Sequence, residues 1–506
     1  MADDLRALAA ADPDRPAFVT GRGGKTLTLS YGELDRHIDR FASALRSLEP
    51  RPRAVAYQLP DWWETVALTL ACLRSGIVAV PLLAGLGERE LRNALALTGA
   101  DTLITLGGPR AETAAKAAEG LPAGSRRVVY AETPEPGALD FAGLFLTAEP
   151  EPEPEPVTMA VDPDRVSLVL FTSGTTGRAK AALHTANTLY AGGRALVGAV
   201  GGGHRVSATA QTVSHIGGLG FGVLAPLVSG GTGVFQDTPT DHAAFLELLD
   251  SAGVEYVVAV PVRLNVLVAE IRQGAAAPRA LRDILTGATA PPPALIKEAE
   301  AAFPGVRVRS AFAATEICTL SMVPADAPSG TSAHSDGMPV SGVEIAPADS
   351  PDEVQPLRVR GPSVCLATGD ADGLRLTWEH DDGWYSTGDL IRRLPDGSVR
   401  FMSRTAERVG GSFLVPVRDV EAVLDEHPSV DEAVLVGVPD DLGNEQVCAV
   451  VTPGSTTPTL DELRAHLTGR GVTDWFQPTL LYVVDAIPRD HLGKPRRGEL
   501  RDRCTA

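Results

Sequence analysis

The chain has 506 residues, which is too long for one hydrophobic core and predicts two or more domains. Hydrophobic residues make up 44% of the chain, an ordinary share for a globular protein. A formal net charge of −19 and a pI near 5.0 argue against a surface that binds nucleic acid or an anionic membrane.

The cysteines lie far apart in the chain and form no Cys-x-x-Cys pair: they are Cys72, Cys318, Cys365, Cys448 and Cys504. Such spacing fits a reducing compartment and argues against a disulfide framework or a zinc site. The first residues show no signal region, and the most apolar window, 67–86, is interrupted by an arginine, a glycine and a proline. We therefore expect a cytoplasmic protein without a membrane-spanning segment.

The N-terminal part of the chain alternates between helical and strand-like patterns. Residues 28–47 begin with a hydroxyl cap and then carry apolar side chains at the spacing of an amphipathic helix. Strand-like runs at 53–58 and 76–81 flank a helical stretch at 62–73, and another strand follows at 102–106. This alternation predicts an α/β fold, in which a parallel sheet has helices on both faces.

An acidic, proline-rich segment interrupts the pattern at residues 148–156, Ala-Glu-Pro-Glu-Pro-Glu-Pro-Glu-Pro. Four prolines and four carboxylates in nine residues cannot pack into a core. We expect an extended, solvated linker of polyproline type that lies within the large domain.

A loop rich in glycine and hydroxyl groups follows the buried strand predicted at 166–171. It contains Thr172, Ser173, Gly174, Thr175, Thr176 and Gly177 and closes with Lys180. Backbone N–H groups in such a loop, together with hydroxyls and an ammonium, suit a polyphosphate. The spacing is not that of a Walker A loop, and a loop of this composition is by itself usually only a connection. Lys180 strengthens the prediction, because only five of the 45 basic residues are lysines, and Lys494 is another.

A helix predicted at 182–200 leads to three segments that combine small residues with polar ones. They are His215-Ile216-Gly217-Gly218, Gly287-Ala288 and Phe312-Ala313-Ala314-Thr315-Glu316. A histidine beside small residues is more often structural, and a bare Thr-Glu pair is more often a helix cap. The glycines that follow His215 either leave room for a bulky ligand or permit close helix packing.

Two further motifs lie in the last quarter of the chain. Residues 383–389, Gly-Trp-Tyr-Ser-Thr-Gly-Asp, place a carboxylate just past a Thr-Gly turn, and a strand at 399–403 then leads to Arg404. After it the patterns predict a helix at 419–427, strands at 433–438 and 445–451, and a helix at 460–468. The final motif is Pro-Arg-Asp-His-Leu-Gly-Lys at 488–494, although a basic tail near a C-terminus is usually solvated.

Taken in this order, four motifs resemble those of the adenylate-forming (ANL) superfamily, which includes acyl- and aryl-CoA ligases and aryl-acid adenylating enzymes. They are the loop at 172–180, the Phe-Ala-Ala-Thr-Glu segment, the Thr-Gly-Asp turn and the Pro…Gly-Lys terminus. The resemblance implies a large N-terminal domain of helix-flanked sheets at 1–403. It also implies a small, mobile α+β domain at 404–506 and an active site between the two.

The resemblance further implies roles for individual residues. ATP would be bound by Thr172, Ser173, Gly174, Thr176, Gly177, Lys180, Gly287, Ala288, Phe312, Thr315, Asp389 and Arg404. Glu316 would hold Mg²⁺, since this ion takes one or two carboxylates plus phosphate oxygens. Catalysis would depend on Lys494, Glu316 and Thr175. The substrate carboxylate would lie beside His215, Gly217, Gly218 and Ala313.

The sequence departs from the family pattern at two places. Phe312 and Ala313 stand where the family has tyrosine and glycine; the aromatic ring can still stack on adenine, but the alanine narrows the backbone angles and reshapes the acid pocket. Ala406 stands at the hinge, where the family has aspartate or lysine, and the interval from Arg404 to the glycines at 410 and 411 is shorter. The hinge change bears on thioester formation and not on adenylation.

The predicted activity is ATP-dependent adenylation of an aryl, alicyclic or medium-chain carboxylic acid, followed by transfer to CoA. An alternative passes the activated group to a carrier-protein thiol, an amine or a small inorganic nucleophile. A third hypothesis is a nucleotide-binding protein without turnover, against which Lys180, Lys494 and Glu316 argue. The expected cofactors are ATP, Mg²⁺ and CoA. The expected partners are a small carboxylic acid and CoA or a carrier protein, with no nucleic acid and no membrane.

Overall fold

The structure is a computed structural model that describes most of the chain between residues 2 and 505. The stretches outside the description are 109–110, 120, 122–123, 134, 148–160, 174–178, 203–204, 238–240, 289–290, 292, 348–353, 371, 380–382, 405–408, 410–414, 416, 441–444 and 490–494. The linker predicted at 148–156 lies outside the described residues.

Helices occur along the whole described chain. The α-helices are α1 (Ala2–Ala11), α2 (Tyr31–Ser47), α3 (Trp63–Ser75), α4 (Glu88–Thr98), α5 (Ala111–Ala118), α6 (Ala186–Val200), α7 (Ile216–Leu219), α8 (Ala225–Ser229), α9 (His242–Ser251), α10 (Pro261–Arg272), α11 (Pro293–Ala302), α12 (Val417–Asp425), α13 (Leu460–Gly469) and α14 (Arg497–Thr505). Two π-helical segments (Ala142–Thr147, Gly220–Leu224) and two 3₁₀ turns (Thr331–Ala333, Asp474–Phe476) complete them.

Strands make up the rest of the regular structure. They are β1 (Pro16–Arg22), β2 (Lys25–Ser30), β3 (Ala54–Gln58), β4 (Val78–Pro81), β5 (Thr102–Leu106), β6 (Arg126–Tyr130), β7 (Leu139–Asp140), β8 (Val166–Ser173), β9 (Ala179–Thr185), β10 (Val206–Thr209), β11 (Thr232–Gln236), β12 (Tyr256–Val258), β13 (Asp283–Gly287), β14 (Arg307–Phe312), β15 (Ser321–Met322), β16 (Met338–Pro339), β17 (Glu344–Ile345), β18 (Val354–Arg360), β19 (Ala367–Asp370), β20 (Gly373–Leu376), β21 (Tyr385–Arg393), β22 (Val399–Arg404), β23 (Val430–Pro439), β24 (Glu445–Pro453) and β25 (Leu480–Val483).

The first nine-stranded sheet has the order β20-β19-β9-β8-β4-β3-β5-β6-β7. From β8 to β7 every neighbouring pair is parallel, whereas β9, β19 and β20 pair antiparallel. The strands predicted at 53–58, 76–81 and 102–106 are β3, β4 and β5, and the helix predicted at 62–73 is α3. The predicted α/β fold with a parallel, helix-flanked sheet is therefore confirmed.

The second nine-stranded sheet has the order β16-β15-β14-β13-β12-β10-β11-β1-β2. Its inner strands, from β14 to β1, are parallel, and β2, β15 and β16 pair antiparallel at the two edges. Apolar residues on these inner strands, such as Phe18, Val234 and Ile284, are buried. Burial of the sheet on both faces follows from the helices that connect parallel strands.

Helix α2 shows how the local sequence determines an element that the fold uses. Ser30 precedes it, and its hydroxyl accepts a hydrogen bond from the Glu33 N–H, while the Glu33 carboxylate accepts one from the Ser30 N–H. This reciprocal cap satisfies two backbone donors that a helix start leaves unpaired. The apolar face of the helix is fully buried at Leu34, Ile38 and Phe41, which confirms the amphipathic helix predicted within 28–47.

The helix predicted at 182–200 begins later than expected, at Ala186. Residues up to Thr185 belong to β9, which pairs with β8 on one side and with β19 on the other. Two strand partners outweigh the helical preference of a short run that contains alanine and leucine. Thr185 then caps α6 by accepting a hydrogen bond from the Thr188 N–H.

A third sheet, β17-β18-β21-β22, and a C-terminal sheet, β23-β24-β25, follow. The C-terminal sheet is covered by helices α12, α13 and α14, and its core includes Leu424, Leu435 and Leu463. The helices predicted at 419–427 and 460–468 and the strands predicted at 433–438 and 445–451 are confirmed, with slightly different ends. The boundary between residues 403 and 404 stays a prediction.

The C-terminal unit touches the large one at the start of α4. The Thr473 hydroxyl donates to the Glu90 carboxylate at 2.7 Å and accepts from the Gly87 N–H at 2.7 Å. Burial raises the pKa of Glu90. This contact ties the loop after α13 to the region that follows β4.

None of the helices in the described part of the chain is both long enough and apolar enough to cross a lipid bilayer.

Candidate active site

The predicted phosphate loop joins two antiparallel strands. β8 and β9 form a hairpin in which Thr172 lies opposite Lys180 and Ser173 opposite Ala179. Antiparallel pairing up to these positions brings the Thr172 hydroxyl and the Lys180 ammonium to the loop end of the hairpin, at the carboxyl end of β8. The predicted site residues Gly174, Thr175, Thr176 and Gly177 lie outside the described residues, so their roles stay predictions.

The Thr-Glu segment follows the carboxyl end of β14 in the second sheet. Thr315 is 7% exposed, and its carbonyl accepts a hydrogen bond from His184 Nε2 at 2.8 Å. The next carbonyl, that of Glu316, accepts from the Cys365 N–H at 2.7 Å. Both donors belong to the first sheet or to the segment that enters β19, so the turn is held between the two sheets.

The Glu316 carboxylate has the features that a magnesium ligand needs. Its Oε1 accepts a hydrogen bond from the Tyr385 hydroxyl at 3.3 Å. Within the described residues it forms no ion pair with arginine, lysine or histidine, so its charge is not already neutralised. The described residues contain no group of three or more carboxylate, histidine or cysteine side chains placed to hold a metal ion together. Glu316 therefore fits Mg²⁺ as a single protein carboxylate completed by phosphate and water oxygens.

The predicted ribose contacts lie on neighbouring strands of the third sheet. Asp389 on β21 is 1% exposed and lies opposite Arg404 on β22 in the strand register. Gly388 precedes Asp389 with a φ of 75°, a value that glycine adopts without strain, and the Asp389 N–H donates to the Thr387 hydroxyl. Strand β21 therefore carries both Tyr385, which contacts the proposed metal ligand Glu316, and Asp389, the proposed ribose ligand.

The predicted adenine turn lies at the carboxyl end of β13. A Cβ added to Gly287 would lie 2.0 Å from the Ala311 carbonyl oxygen, so only glycine permits this approach of β13 to β14. Ala288 adopts a φ of 71°, which is uncommon for a residue with a side chain. Such outliers collect at ligand sites, because the surrounding structure has to hold them. Phe312 packs edge-on against Phe401 with ring centroids 5.5 Å apart.

His215 is the N-cap of the short helix α7, and one of its two ring nitrogens already accepts a hydrogen bond. Its Nδ1 accepts a hydrogen bond from the Gly217 N–H at 3.1 Å, and burial lowers the pKa of His215 to about 4. The imidazole is therefore neutral near pH 7 and carries its proton on Nε2. Within the described residues Nε2 has no hydrogen-bond partner, so the N–H is available to a ligand.

The glycines after His215 are used for close packing. A Cβ at Gly217 would lie 2.2 Å from the Gln211 side chain, and one at Gly218 would lie 2.0 Å from the Thr212 carbonyl oxygen. A Cβ at Gly222 would lie 2.7 Å from the Thr209 side chain, and one at Gly220 would lie 3.1 Å from the Leu196 side chain. Of the two explanations for these glycines, the structure favours close packing over open space for a substrate. Contact of Gly217, Gly218 or Ala313 with the acid stays a prediction.

Asp61, which is not among the predicted site residues, supports the segment that carries His215. Its carboxylate accepts hydrogen bonds from the Thr212 hydroxyl at 2.8 Å and from the Val213 N–H at 2.9 Å. Burial, with a smaller contribution from Asp237, raises the pKa of Asp61 to about 6, although the two hydrogen bonds oppose the shift. The available signal was a carboxylate directly after the carboxyl end of the buried strand β3.

The structure thus brings most of the predicted segments to one region. The hairpin, the Thr-Glu turn and the β21 strand are connected through His184, Thr315, Glu316 and Tyr385. Lys494, the predicted catalytic lysine, lies outside the described residues, so its role stays a prediction. Arg404 lies opposite Asp389 in the register of β21 and β22.

Comparison with known proteins finds matches at the level of the family over most of the chain. The profile described as "AMP-binding enzyme" matches residues 5–367, and that described as "AMP-binding enzyme C-terminal domain" matches residues 419–494. A feruloyl-CoA synthase of an Amycolatopsis species is 31% identical over 96% of both chains. A medium-chain fatty-acid–CoA ligase of Escherichia coli is 28% identical over 99% of this chain and 90% of its own length. The amide bond synthetase McbA of Marinactinospora thermotolerans superposes with a TM-score of 0.84 and 25% identity, over 99% of this chain and 100% of its own.

Gly287→Ala tests the close approach of β13 to β14. Because the new methyl group would meet a backbone oxygen at 2.0 Å, one strand has to move. Overpacking of this kind costs about 1–3 kcal/mol, and we expect urea unfolding at a correspondingly lower concentration. Gly469→Ala is the control: among the described residues beyond its own helix backbone and chain neighbours, no atom lies within 4 Å of its new methyl group, so the midpoint should stay or rise slightly. Equal midpoints for the two variants would contradict the packing argument.

Asp61→Asn tests the half-buried carboxylate of Asp61. A folded pKa of about 6 against 3.8 means that the folded state binds the proton more tightly, so ionised Asp61 costs stability as pH rises through this interval. Asparagine keeps the acceptor oxygen without the charge. We expect its free energy of unfolding, relative to wild type, to improve by about 1–2 kcal/mol between pH 4.5 and pH 8. In the control Asp250→Asn the opposite trend is expected, because Arg279 lowers the pKa of the exposed Asp250. A pH-independent difference for Asp61→Asn would refute the burial argument.

Proposed function

Since the chain belongs to the AMP-binding enzyme family and is an AMP-forming ligase, we propose that it adenylates a carboxylic acid with an apolar body and transfers the acyl group to CoA. The observation that carries this proposal is the hydrogen bond from Tyr385 to Glu316 at 3.3 Å. It joins the strand that leads to Asp389 to the turn that carries the proposed magnesium ligand. Ribose and polyphosphate contacts would then belong to one bound nucleotide.

In the first half-reaction a carboxylate oxygen of the substrate attacks the α-phosphorus of ATP. The bond between that phosphorus and the oxygen that bridges to the β-phosphate breaks, pyrophosphate leaves and acyl-AMP remains. The attacking carboxylate is already ionised at neutral pH, so no residue has to remove a proton. The protein acts by positioning the two reactants and by stabilising the charge that develops on the phosphate oxygens.

Three described residues and one further lysine would do this work. Lys180 would contact the phosphates with its ammonium at the loop end of the hairpin. Glu316 would hold Mg²⁺, which when bound neutralises phosphate charge. Asp389 would accept hydrogen bonds from the ribose hydroxyls. Lys494 would contact the substrate carboxylate and the α-phosphate, a role supported by the Pro…Gly-Lys motif alone.

The surroundings of His215 favour an acid with an apolar body. The neutral imidazole can donate its Nε2–H to the substrate carboxylate or to the adenylate formed from it. Val213, Ile216, Leu219 and Phe221, which surround it in sequence, are all buried apolar residues. The named relatives, which act on ferulic and medium-chain fatty acids, agree with such a substrate.

In the second half-reaction the CoA thiol would attack the acyl carbonyl carbon, its proton would pass to solvent, and AMP would leave. A second candidate acceptor is an amine, which would give an amide by the same displacement. The specific observation in its favour is the match to an amide bond synthetase at a TM-score of 0.84 along the whole chain. The altered hinge residue Ala406 points the same way, because it changes the element on which thioester formation depends.

We also propose a domain boundary between residues 403 and 404 and a cytoplasmic location. Strand β22 ends at Arg404, and the match to the C-terminal family profile begins at residue 419. All five cysteines are free thiols, and four of them are buried. Such use of cysteine suits a reducing compartment.

Glu316→Gln tests the magnesium ligand. Glutamine keeps the oxygen that accepts from Tyr385 but removes the charge. We expect the Mg²⁺ concentration for half-maximal pyrophosphate release to rise about tenfold or more, because a carboxylate ligand is lost. Glu344→Gln, at an exposed carboxylate paired with Arg360, should titrate like wild type. An unchanged titration for Glu316→Gln would remove Glu316 from the metal site.

The activity itself is tested by pyrophosphate release from ATP and Mg²⁺ over a panel of aromatic, alicyclic and medium-chain acids. Each acid is assayed alone, with CoA, and with a panel of amines, and the products are identified by mass. We expect acyl-AMP with at least one class of acid and acyl-CoA when CoA is present. Lys494→Ala is the negative control: it should bind ATP while releasing pyrophosphate about a hundredfold or more slowly, as loss of a charge-stabilising group implies.

The outcomes separate the hypotheses. An adenylate that ignores CoA but is consumed by an amine would establish the second candidate and reject the first. ATP binding without pyrophosphate release for any acid of the panel would contradict adenylation. Full activity of Lys494→Ala would reject the proposed role of that lysine.

A further inference from the structure

His184 is a fully buried histidine that joins the two large sheets next to the proposed phosphate site. It lies on β9 and is 0% exposed. Its Nε2 lies 2.8 Å from the Thr315 carbonyl oxygen, 131 positions away in the chain, and its Nδ1 lies 3.1 Å from the Thr188 hydroxyl. Both ring nitrogens are therefore used in bonds to protein atoms.

The chemistry of these partners determines the protonation state of the ring. A carbonyl oxygen can only accept, so Nε2 must carry a hydrogen and donate it to Thr315. In the neutral ring Nδ1 is an acceptor for the Thr188 hydroxyl, whose one hydrogen is shared between Nδ1 and the Thr185 carbonyl, each at 3.1 Å. Burial, which outweighs the hydrogen bond to Thr315, lowers the pKa of His184 to about 4 and supports the neutral ring.

Strand geometry connects this bond to Lys180. Residues 180, 182 and 184 occupy every second position of β9, so their side chains point to the same face of the strand. The ammonium proposed to bind phosphate and the imidazole that holds Thr315 thus project from one strand. They are four residues apart, or about 13 Å along the strand.

The backbone adds a second connection close to the first. The Leu366 N–H donates to the Leu183 carbonyl at 2.9 Å, and the Cys365 N–H donates to the Glu316 carbonyl at 2.7 Å. The carbonyls of Thr315 and Glu316 are thereby held by two different donors. Only one of these donors, the imidazole of His184, is a side chain that substitution can remove.

We propose that His184 is a positioning residue for adenylation, which fixes the Thr315–Glu316 turn relative to the hairpin that carries Lys180. The inference rests on the proposed roles of Glu316 and Lys180 in binding the polyphosphate. With this hydrogen bond in place, the Glu316 carboxylate and the Lys180 ammonium are held where both act on the same nucleotide. A displacement of about 1 Å at a reacting centre can cost about a hundredfold in rate, so the loss of one buried bond is amplified in the reaction.

A pair of substitutions separates the two ring nitrogens. In His184→Gln the side-chain amide nitrogen can reach the place of Nε2 and donate to Thr315. In His184→Asn the shorter amide can reach only the place of Nδ1, near Thr188, and the Thr315 carbonyl loses its donor. Both variants are neutral and polar, so the comparison isolates one hydrogen bond.

The first readout needs no substrate acid. Amide hydrogen exchange of the segment 314–318 is measured by mass spectrometry in the free enzyme, and ATP binding is titrated at several Mg²⁺ concentrations. We expect His184→Asn to exchange faster in this segment and to lose the enhancement of ATP affinity by Mg²⁺, while His184→Gln resembles wild type. Urea midpoints of both variants show whether any difference follows general stability instead.

The second readout is kinetic and uses the acid that the panel identifies. For His184→Asn we expect kcat for pyrophosphate release to fall about ten- to a hundredfold, with a much smaller change in KM for the acid. His184→Gln should stay within about threefold of wild type. Equal losses in the two variants, or wild-type exchange, Mg²⁺ response and kcat in His184→Asn, would overturn the proposal.

A second pair of variants decides the matter if His184→Asn does not fold. Thr188→Val removes the hydroxyl that contacts Nδ1 and also accepts from the Thr185 N–H in the cap of α6, whereas Thr188→Ser keeps both contacts. Faster exchange at 314–318 in the valine variant alone supports the proposal, and identical exchange in both variants rejects it. Failure of the proposed function appears separately, as wild-type enzyme that releases no pyrophosphate or as a Glu316→Gln variant with an unchanged Mg²⁺ titration.

Discussion

In both nine-stranded sheets the central strands run parallel, so the carboxyl ends of those strands all lie along one edge of each sheet. Loops that leave this edge are free to carry a site, because their backbone groups are not used by the sheet. The β8–β9 hairpin, the turn after β13 and the Thr-Glu turn after β14 all begin there. Ligand sites of open α/β sheets form outside the carboxyl ends of strands for this reason.

Parallel pairing alone would leave the two edges unconnected. They are joined by buried and half-buried hydrogen bonds in which one sheet supplies the partner that the other needs. His184 holds Thr315, and Asp61 holds Val213. Asp336 does the same between the second and third sheets, since its carboxylate accepts from the Ser310 hydroxyl at 2.8 Å and from the Phe401 N–H at 2.7 Å. A buried polar group without such a partner would cost about 1–3 kcal/mol, so each of these bonds resists displacement of one edge against the other.

The glycines of the site illustrate a different constraint. Gly287 and Gly218 do not leave empty space, because a neighbouring carbonyl oxygen stands about where their Cβ would be. They allow backbones to approach each other, which brings the turn after β13 against β14 and the α7 segment against Thr212. The space left for a ligand at the site is therefore determined by the positions of the backbone atoms and not by the missing side chains of the glycines. The volume of an acid pocket cannot be read from the number of glycines around it.

The division of the site between charges and supports follows from this arrangement. Lys180 and Glu316 stand on elements of different sheets, and Asp389 stands on a third. Each element is held by contacts with a neighbouring one, as the Glu316 carboxylate is by the Tyr385 hydroxyl. An enzyme that relies on positioning and charge stabilisation, with no proton transfer in its first step, depends on such supports as much as on the charged groups.

The sequence by itself determined the α/β class, most strands and helices of both units, and the residue types of the site. Those features are local: apolar periodicity defines β3 and α2, and a loop that contains Thr172 and Lys180 suits phosphate whatever surrounds it. The late start of α6 was missed because β19, nearly 200 residues away, gives β9 a second partner. Only the tertiary structure decided that His184 contacts Thr315, that Tyr385 contacts Glu316 and that Asp61 contacts Val213, and that the glycines after His215 pack closely against their neighbours. These roles depend on which side chains face each other when two sheets meet, and no local pattern in the chain encodes a contact between residues 131 positions apart.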